Sequence, residues 1–86
     1  MYNPQSYAVS IEKILKAPLH AADIIAKNPL EYMKGYLDVV YEKSDEKARL
    51  IDTFDDKYKK YENVPLMNWR EEDATQMVAD LRNIMS

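Results

Sequence analysis

Residues 31–47 read EYMKGYLDVVYEKSDEK, and whether the chain runs through KSDEK as helix or breaks there decides the fold. Counting heptads from Leu30 places Leu30, Leu37, Ser44, Ile51 and Tyr58 at the a positions. Met33, Val40, Lys47, Phe54 and Tyr61 fall at the d positions. An apolar seam therefore runs from Leu30 to Tyr61 and fails only at Ser44 and Lys47. Two structures are open. One is a single helix from Pro29 to about Glu62, which at 1.5 Å per residue spans ~50 Å, more than a compact monomer of this size covers, and so depends on a partner chain. The other breaks at Ser44, whose hydroxyl caps a new helix with Asp45 and Glu46 in its first turn, where the helix dipole favours acids. The coincidence of both seam failures with a capping residue favours the break.

Outward from that segment the signals remain helical. Asn3-Pro4 and Asn28-Pro29 each set a capping side chain before a proline whose missing N–H lies in the unpaired first turn of a helix. After the first, Tyr7, Ile11, Ile14 and Leu15 form one stripe ending near Ala17-Pro18. Pro18 is expected to open a short second helix through Leu19, Ala22, Ile25 and Ala26, closing at Asn28. ENVPLMN, residues 62–68, has the composition of a connection, and Asn68 with Glu71 is expected to form a capping box for the last helix. In that helix Ala74, Met77, Val78, Leu81, Ile84 and Met85 share a face. Val, Ile and Thr never alternate with polar residues over a strand length, so the prediction is all-α: one domain, residues 1–86, a small antiparallel bundle of four to five helices.

Composition narrows function. At 47% hydrophobic and 31% charged, the chain is globular rather than disordered. A net charge of −3 gives no general attraction to nucleic acid or anionic lipid. The absence of Cys excludes disulfides and thiolate metal sites and suits a reducing cytoplasm, the expected location. No apolar run approaches the ~20 residues needed to span a bilayer, and no targeting segment is visible.

The inventory for catalysis is thin, and neither an active site, a metal site nor a cofactor is expected. His20 and Asp23 at i, i+3 read as a surface pair, since no nucleophile or second ligand stands beside them. Asp55-Asp56 and Glu71-Glu72-Asp73 lack the alternating ligands and turn glycine of a calcium loop. KYKKY interleaves Lys57, Lys59 and Lys60 with Tyr58 and Tyr61, a pattern able to grip single-stranded nucleic acid by charge and stacking. Asp55, Asp56 and Glu62 flank it, however, and both tyrosines belong to the seam.

The surplus is apolar. Tyr32, Tyr36 and Val39 make a second stripe, at i, i+4 and i+7, on a different face from Met33, Leu37 and Val40. Either the second stripe packs inside the bundle or it meets another protein, and seven tyrosines in 86 residues suit contact surfaces. Trp69, beside Leu66 and Met67, poses the same choice between a staple under the bundle end and an anchor in a partner's pocket. Met33, Met67, Met77 and Met85 read as core fillers. The expected function is a non-catalytic helical interaction module, an adaptor, inhibitor or regulatory subunit docking on a larger protein through Tyr32, Tyr36 and Val39 or through Trp69. Small Cys-free helical proteins of this kind are common among phage-encoded modulators of host machinery, an association by type alone. The alternatives are a self-assembling homo-oligomer paired through the seam and a nucleic-acid-binding regulator using KYKKY.

Overall fold

A computed structural model describes residues 2–18 and 20–86. Among them are five α-helices: α1 (Pro4–Leu15), α2 (Ala21–Lys27), α3 (Pro29–Val40), α4 (Asp45–Lys57) and α5 (Glu71–Met85). Two 3₁₀ turns, Lys59–Tyr61 and Leu66–Asn68, join α4 to α5, and no strand occurs among the described residues. The bundle measures 38 × 27 × 21 Å, and the all-α expectation holds.

Ser44 decides the centre of the chain. Its side chain accepts a hydrogen bond from the Lys47 N–H at 3.2 Å, its own N–H donates to the Tyr41 carbonyl at 3.0 Å, and Asp45 and Glu46 occupy the first turn of α4. The single long helix does not form. Because the chain folds back, Leu30, Met33, Leu37, Ile51, Phe54, Tyr58 and Tyr61 are buried within one molecule, each large side chain contributing roughly 1.5–3 kcal/mol. The two remaining seam positions behave differently. Val40, at the last turn of α3, is 49% exposed. Lys47 is half-buried and extends its ammonium to the end of α5, donating to the carbonyls of Ile84 at 2.5 Å and Ser86 at 3.1 Å. A cation there satisfies the orphan carbonyls and complements the dipole.

The other helix ends partly follow the sequence. Asn3 caps α1 by accepting from the Ser6 N–H at 3.4 Å, with Pro4 at the first helical position. Asn28 precedes Pro29 as expected, but its backbone carbonyl, rather than its side chain, takes the first hydrogen bond of α3, from Tyr32 at 3.1 Å.

Two expectations are corrected. Pro18 does not open α2. Lys16 ends α1 in the left-handed region, φ 55°, with the Ala17 N–H bonded to the Glu12 carbonyl at 3.0 Å. The Pro18 carbonyl then accepts from Ala21 at 3.2 Å across a turn in which His20 has φ 72°. With the chain reversed by these residues, α2 starts three residues late; Leu19 lies outside the described residues. Nor does Asn68 cap α5. It ends a 3₁₀ turn, Trp69 and Arg70 are extended, and the helix begins at Glu71 without a side-chain cap. The indole must turn inward to be buried, and that displaces the helix start by two residues.

α5 lays Ala74, Met77, Val78, Leu81 and Ile84 on the core against α1 and α4. Tyr2 ties the other end, donating to the Leu66 carbonyl at 2.6 Å. Among the described residues no helix is long and apolar enough to cross a membrane.

Candidate functional site

α3 carries two apolar faces. Leu30, Met33 and Leu37 face the core, fully packed. Tyr32 and Tyr36, roughly a third of a turn away, are half-buried and lean on the core's edge, whereas Val39, next in the same stripe, is 74% exposed. Gly35 lies beside them, open to solvent, and a Cβ built there would meet nothing within 4 Å. The outer face of α3 is therefore an apolar strip that emerges from the bundle toward Val39 and Val40.

One edge of the strip is acidic. Glu31 and Asp38 follow it at i and i+7, and Glu42 lies beyond the helix, in the turn before Ser44. Glu31 is committed to the fold: one carboxylate oxygen accepts the Asn63 N–H at 2.6 Å, holding that residue in its left-handed turn, and the other is buried without a partner. Asp38 and Glu42 are exposed and form no ion pair among the described residues. The nearby cation Lys34 is bonded to Asp55 at 3.4 Å, which raises its pKa.

Trp69, the other candidate anchor, is inside. Its indole is 3% exposed, stacks on Tyr61 at 4.0 Å between centroids and on Tyr58 at 5.8 Å, and donates to the Val64 carbonyl at 2.9 Å. No face of it is left for a partner. It is the staple, closing the chain ahead of α5 onto Tyr58 and Tyr61 just past the end of α4. Its neighbour Met67, expected to be covered, is instead 71% exposed. Leu66 and Trp69 are the buried residues of that connection, with Val64 partly buried against the core.

KYKKY is likewise engaged within the molecule. The Tyr58 hydroxyl donates to Asp80 at 2.6 Å, and the Tyr61 hydroxyl donates to Asp73. Lys57 pairs with Asp80 at 2.8 Å and Lys60 with Asp73 at 3.6 Å. Burial first, and then the facing carboxylates, push both tyrosine hydroxyls above their usual range. The bond from Tyr61 holds the Asp73 carboxyl below the ordinary value. Burial works against ionisation of Asp80, but the bonds from Lys57, Tyr58 and Gln76 outweigh it and leave its pKa lowered as well. Only Lys59 of the three lysines has no carboxylate ion pair among the described residues.

Two features escaped sequence reading. Ile24 is 60% exposed on α2; beside Ile25 on one short helix, only one of the pair can face the core, and the stripe containing Ile25 was the available signal. A groove of about 620 Å³ runs between α1, α2 and the second 3₁₀ turn, lined by Pro4, Asp23, Ala26, Lys27, Pro65 and Met67 among others. It joins residues from three parts of the chain, so no local pattern marks it. His20 is exposed and makes no side-chain bond to Asp23. Among the described residues no group of three or more His, Asp or Glu side chains is placed to hold a metal ion.

Comparison of the chain with protein-family models, with curated proteins and with solved structures finds no match.

Proposed function

We propose that the protein is a non-catalytic helical interaction module, an adaptor, inhibitor or regulatory subunit, that docks on a larger protein through the outer face of α3. The observation that carries this reading is Val39: a β-branched apolar side chain held 74% exposed, in line with two half-buried tyrosines and next to an open glycine. Exposed apolar area of this kind, set among polar residues, is a common mark of a protein-binding surface. Tyrosines at its edge add contact area with hydroxyls that tolerate water before binding. The module is proposed to act in the cytoplasm, in keeping with a Cys-free composition.

The self-assembly alternative draws little support from the seam, whose apolar residues, Val40 apart, are already packed within one chain. The nucleic-acid alternative draws little from KYKKY, with two lysines paired and both rings buried.

The test is affinity capture with the unmodified protein and with Val39→Asp, alongside thermal melting of each. Val39 touches solvent more than protein, so the substitution should remove the captured partner while lowering Tm only slightly, in line with the ~0.3–1 kcal/mol that an acid at a helix C-terminus costs. Retained capture by a folded Val39→Asp protein would refute the α3 assignment.

A further inference from the structure

We infer that the protein exchanges halves with a second copy of itself: residues 41–44 straighten into helix, and the first half of each chain packs on the second half of the other. This goes beyond the docking reading and does not depend on it. The chain divides at that turn. Before it α1, α2 and α3 pack on one another, after it α4 and α5 do, and the halves meet mainly along α1 with α5 and α3 with α4. Contacts between the halves can therefore re-form between two chains, so the seam need not be free in order to join them. The turn contains neither Gly nor Pro and no residue with a left-handed backbone. Tyr41, at φ −110° and ψ 25°, already donates to the Leu37 carbonyl as a helical residue does, whereas Ser44, at ψ 106°, is extended. Rotation of Ser44 toward the helical ψ of about −42° is the chief change that joins α3 to α4.

The heptad phase is what lets the opened form fit. Leu30, Met33 and Leu37 before the turn keep one register with Ile51, Phe54 and Tyr58 after it, so on a continuous helix all six fall on one side. With the phase broken, one half would face away from the second copy. The ion pair of Lys34 with Asp55, at 3.4 Å, joins α3 to α4 at nearly equal sequence distances from Ser44. An antiparallel pair of long helices with its two-fold axis near Ser44 reproduces that pair twice, between chains. A continuous helix from Pro29 to Lys57 spans ~43 Å, longer than the 38 Å bundle, so its two ends cannot close on each other and a second copy must complete the core. Lys47 keeps its bonds to Ile84 and Ser86, because all three lie in the second half. Val40, 49% exposed where α3 now stops, gains the second copy's helix as cover. Against exchange stands the Ser44 cap on the Lys47 N–H, which exists only in the closed form.

The test mixes chains of natural isotope content with chains labelled throughout with heavy nitrogen. Equal amounts are unfolded together and refolded at high concentration, and the dimer is separated from monomer by size exclusion with light scattering. A carbodiimide then couples lysines to the carboxylates they touch, and the linked peptides are weighed by mass spectrometry after digestion. In the dimer, about half of the Lys34–Asp55 links should join a light peptide to a heavy one, as random exchange between copies requires. Links between Lys57 and Asp80, both in the second half, should join like with like. Ser44→Ala removes the cap from the closed form alone, a loss of about fivefold for each chain, and should raise the dimerisation constant roughly thirtyfold. Ser44→Asp keeps a cap and should leave that constant near its unmodified value. A dimer whose Lys34–Asp55 links are all unmixed is a side-by-side pair and would overturn the inference. So would equal mixing of both links, absence of a dimer from both the unmodified protein and Ser44→Ala, or equal dimerisation of Ser44→Ala and Ser44→Asp. Melting checks that both variants fold, and the isotope experiment on the unmodified chain does not depend on them.

Discussion

Replacing Trp69 with Phe tests whether that indole is structural. The change removes the N–H that donates to the Val64 carbonyl at 2.9 Å and contracts a ring stacked 4.0 Å from Tyr61. The lost volume, about 40 Å³, costs ~1 kcal/mol at the cavity rate seen in other cores. A carbonyl left without its donor adds ~1 kcal/mol or more, and weaker stacking adds ~0.5 kcal/mol. The total is about 2.5 kcal/mol. A chain of 86 residues unfolds with an entropy of about 0.18 kcal/mol/K near its midpoint, so Tm should fall by roughly 14 °C. Urea unfolding followed by far-UV circular dichroism gives the free energy, and a thermal scan gives the shift. A loss below about 0.5 kcal/mol, the range of ordinary surface changes, would refute the reasoning. It would mean that the stack contributes little and that Trp69 is free to serve as an anchor after all.

Ser44→Ala removes the acceptor of the Lys47 N–H and should cost about 1 kcal/mol by urea unfolding, while Ser44→Asp, another capping residue, should cost almost nothing. Gly35→Ala should stabilise by about 0.5–1 kcal/mol, since the site is helical and the added methyl meets nothing within 4 Å; a lower Tm would show that the helix is strained there. Asp73 and Asp80 both titrate below their ordinary value of 3.8. Their stabilisation is therefore complete above the unfolded-state pKa and is lost as pH falls through the folded one, below about pH 4. Tyr58→Phe with Tyr61→Phe should flatten that acid limb in a series of melts taken at decreasing pH. Lys47→Met should speed amide exchange in the last turn of α5, where the ammonium now holds the Ile84 and Ser86 carbonyls.

What the sequence disclosed and what it hid divide by range. Ser44 was legible because its cap, its acidic first turn and both failures of the seam coincide within five residues. The start of α1 was legible for a similar reason, as Asn3 and Pro4 act on the backbone next to them. Lys16 and His20 adopt left-handed backbones usually taken by Gly or Asn, so their residue types gave no warning that α2 would start late. Trp69 moved the start of α5 through burial against Tyr58 and Tyr61, a contact that no local pattern encodes. Lys47, unexplained as a break in the seam, reaches a partner 37 residues away. At the candidate site, the two stripes on α3 were readable from spacing alone. Which of their members emerges was not: Val40 is set free only because α3 stops there, and Val39 only because no other helix covers that end.

The single tryptophan, clasped by two phenol rings far inside the bundle, gives the molecule an optical property of its own. Its emission should be blue-shifted and fed by energy from the adjoining rings, changing sharply when the chain melts. The same isolation keeps it indifferent to events on the outer side of α3. Intrinsic fluorescence is therefore a reporter of folding that stays silent on docking, and any assay for a partner must carry its label elsewhere.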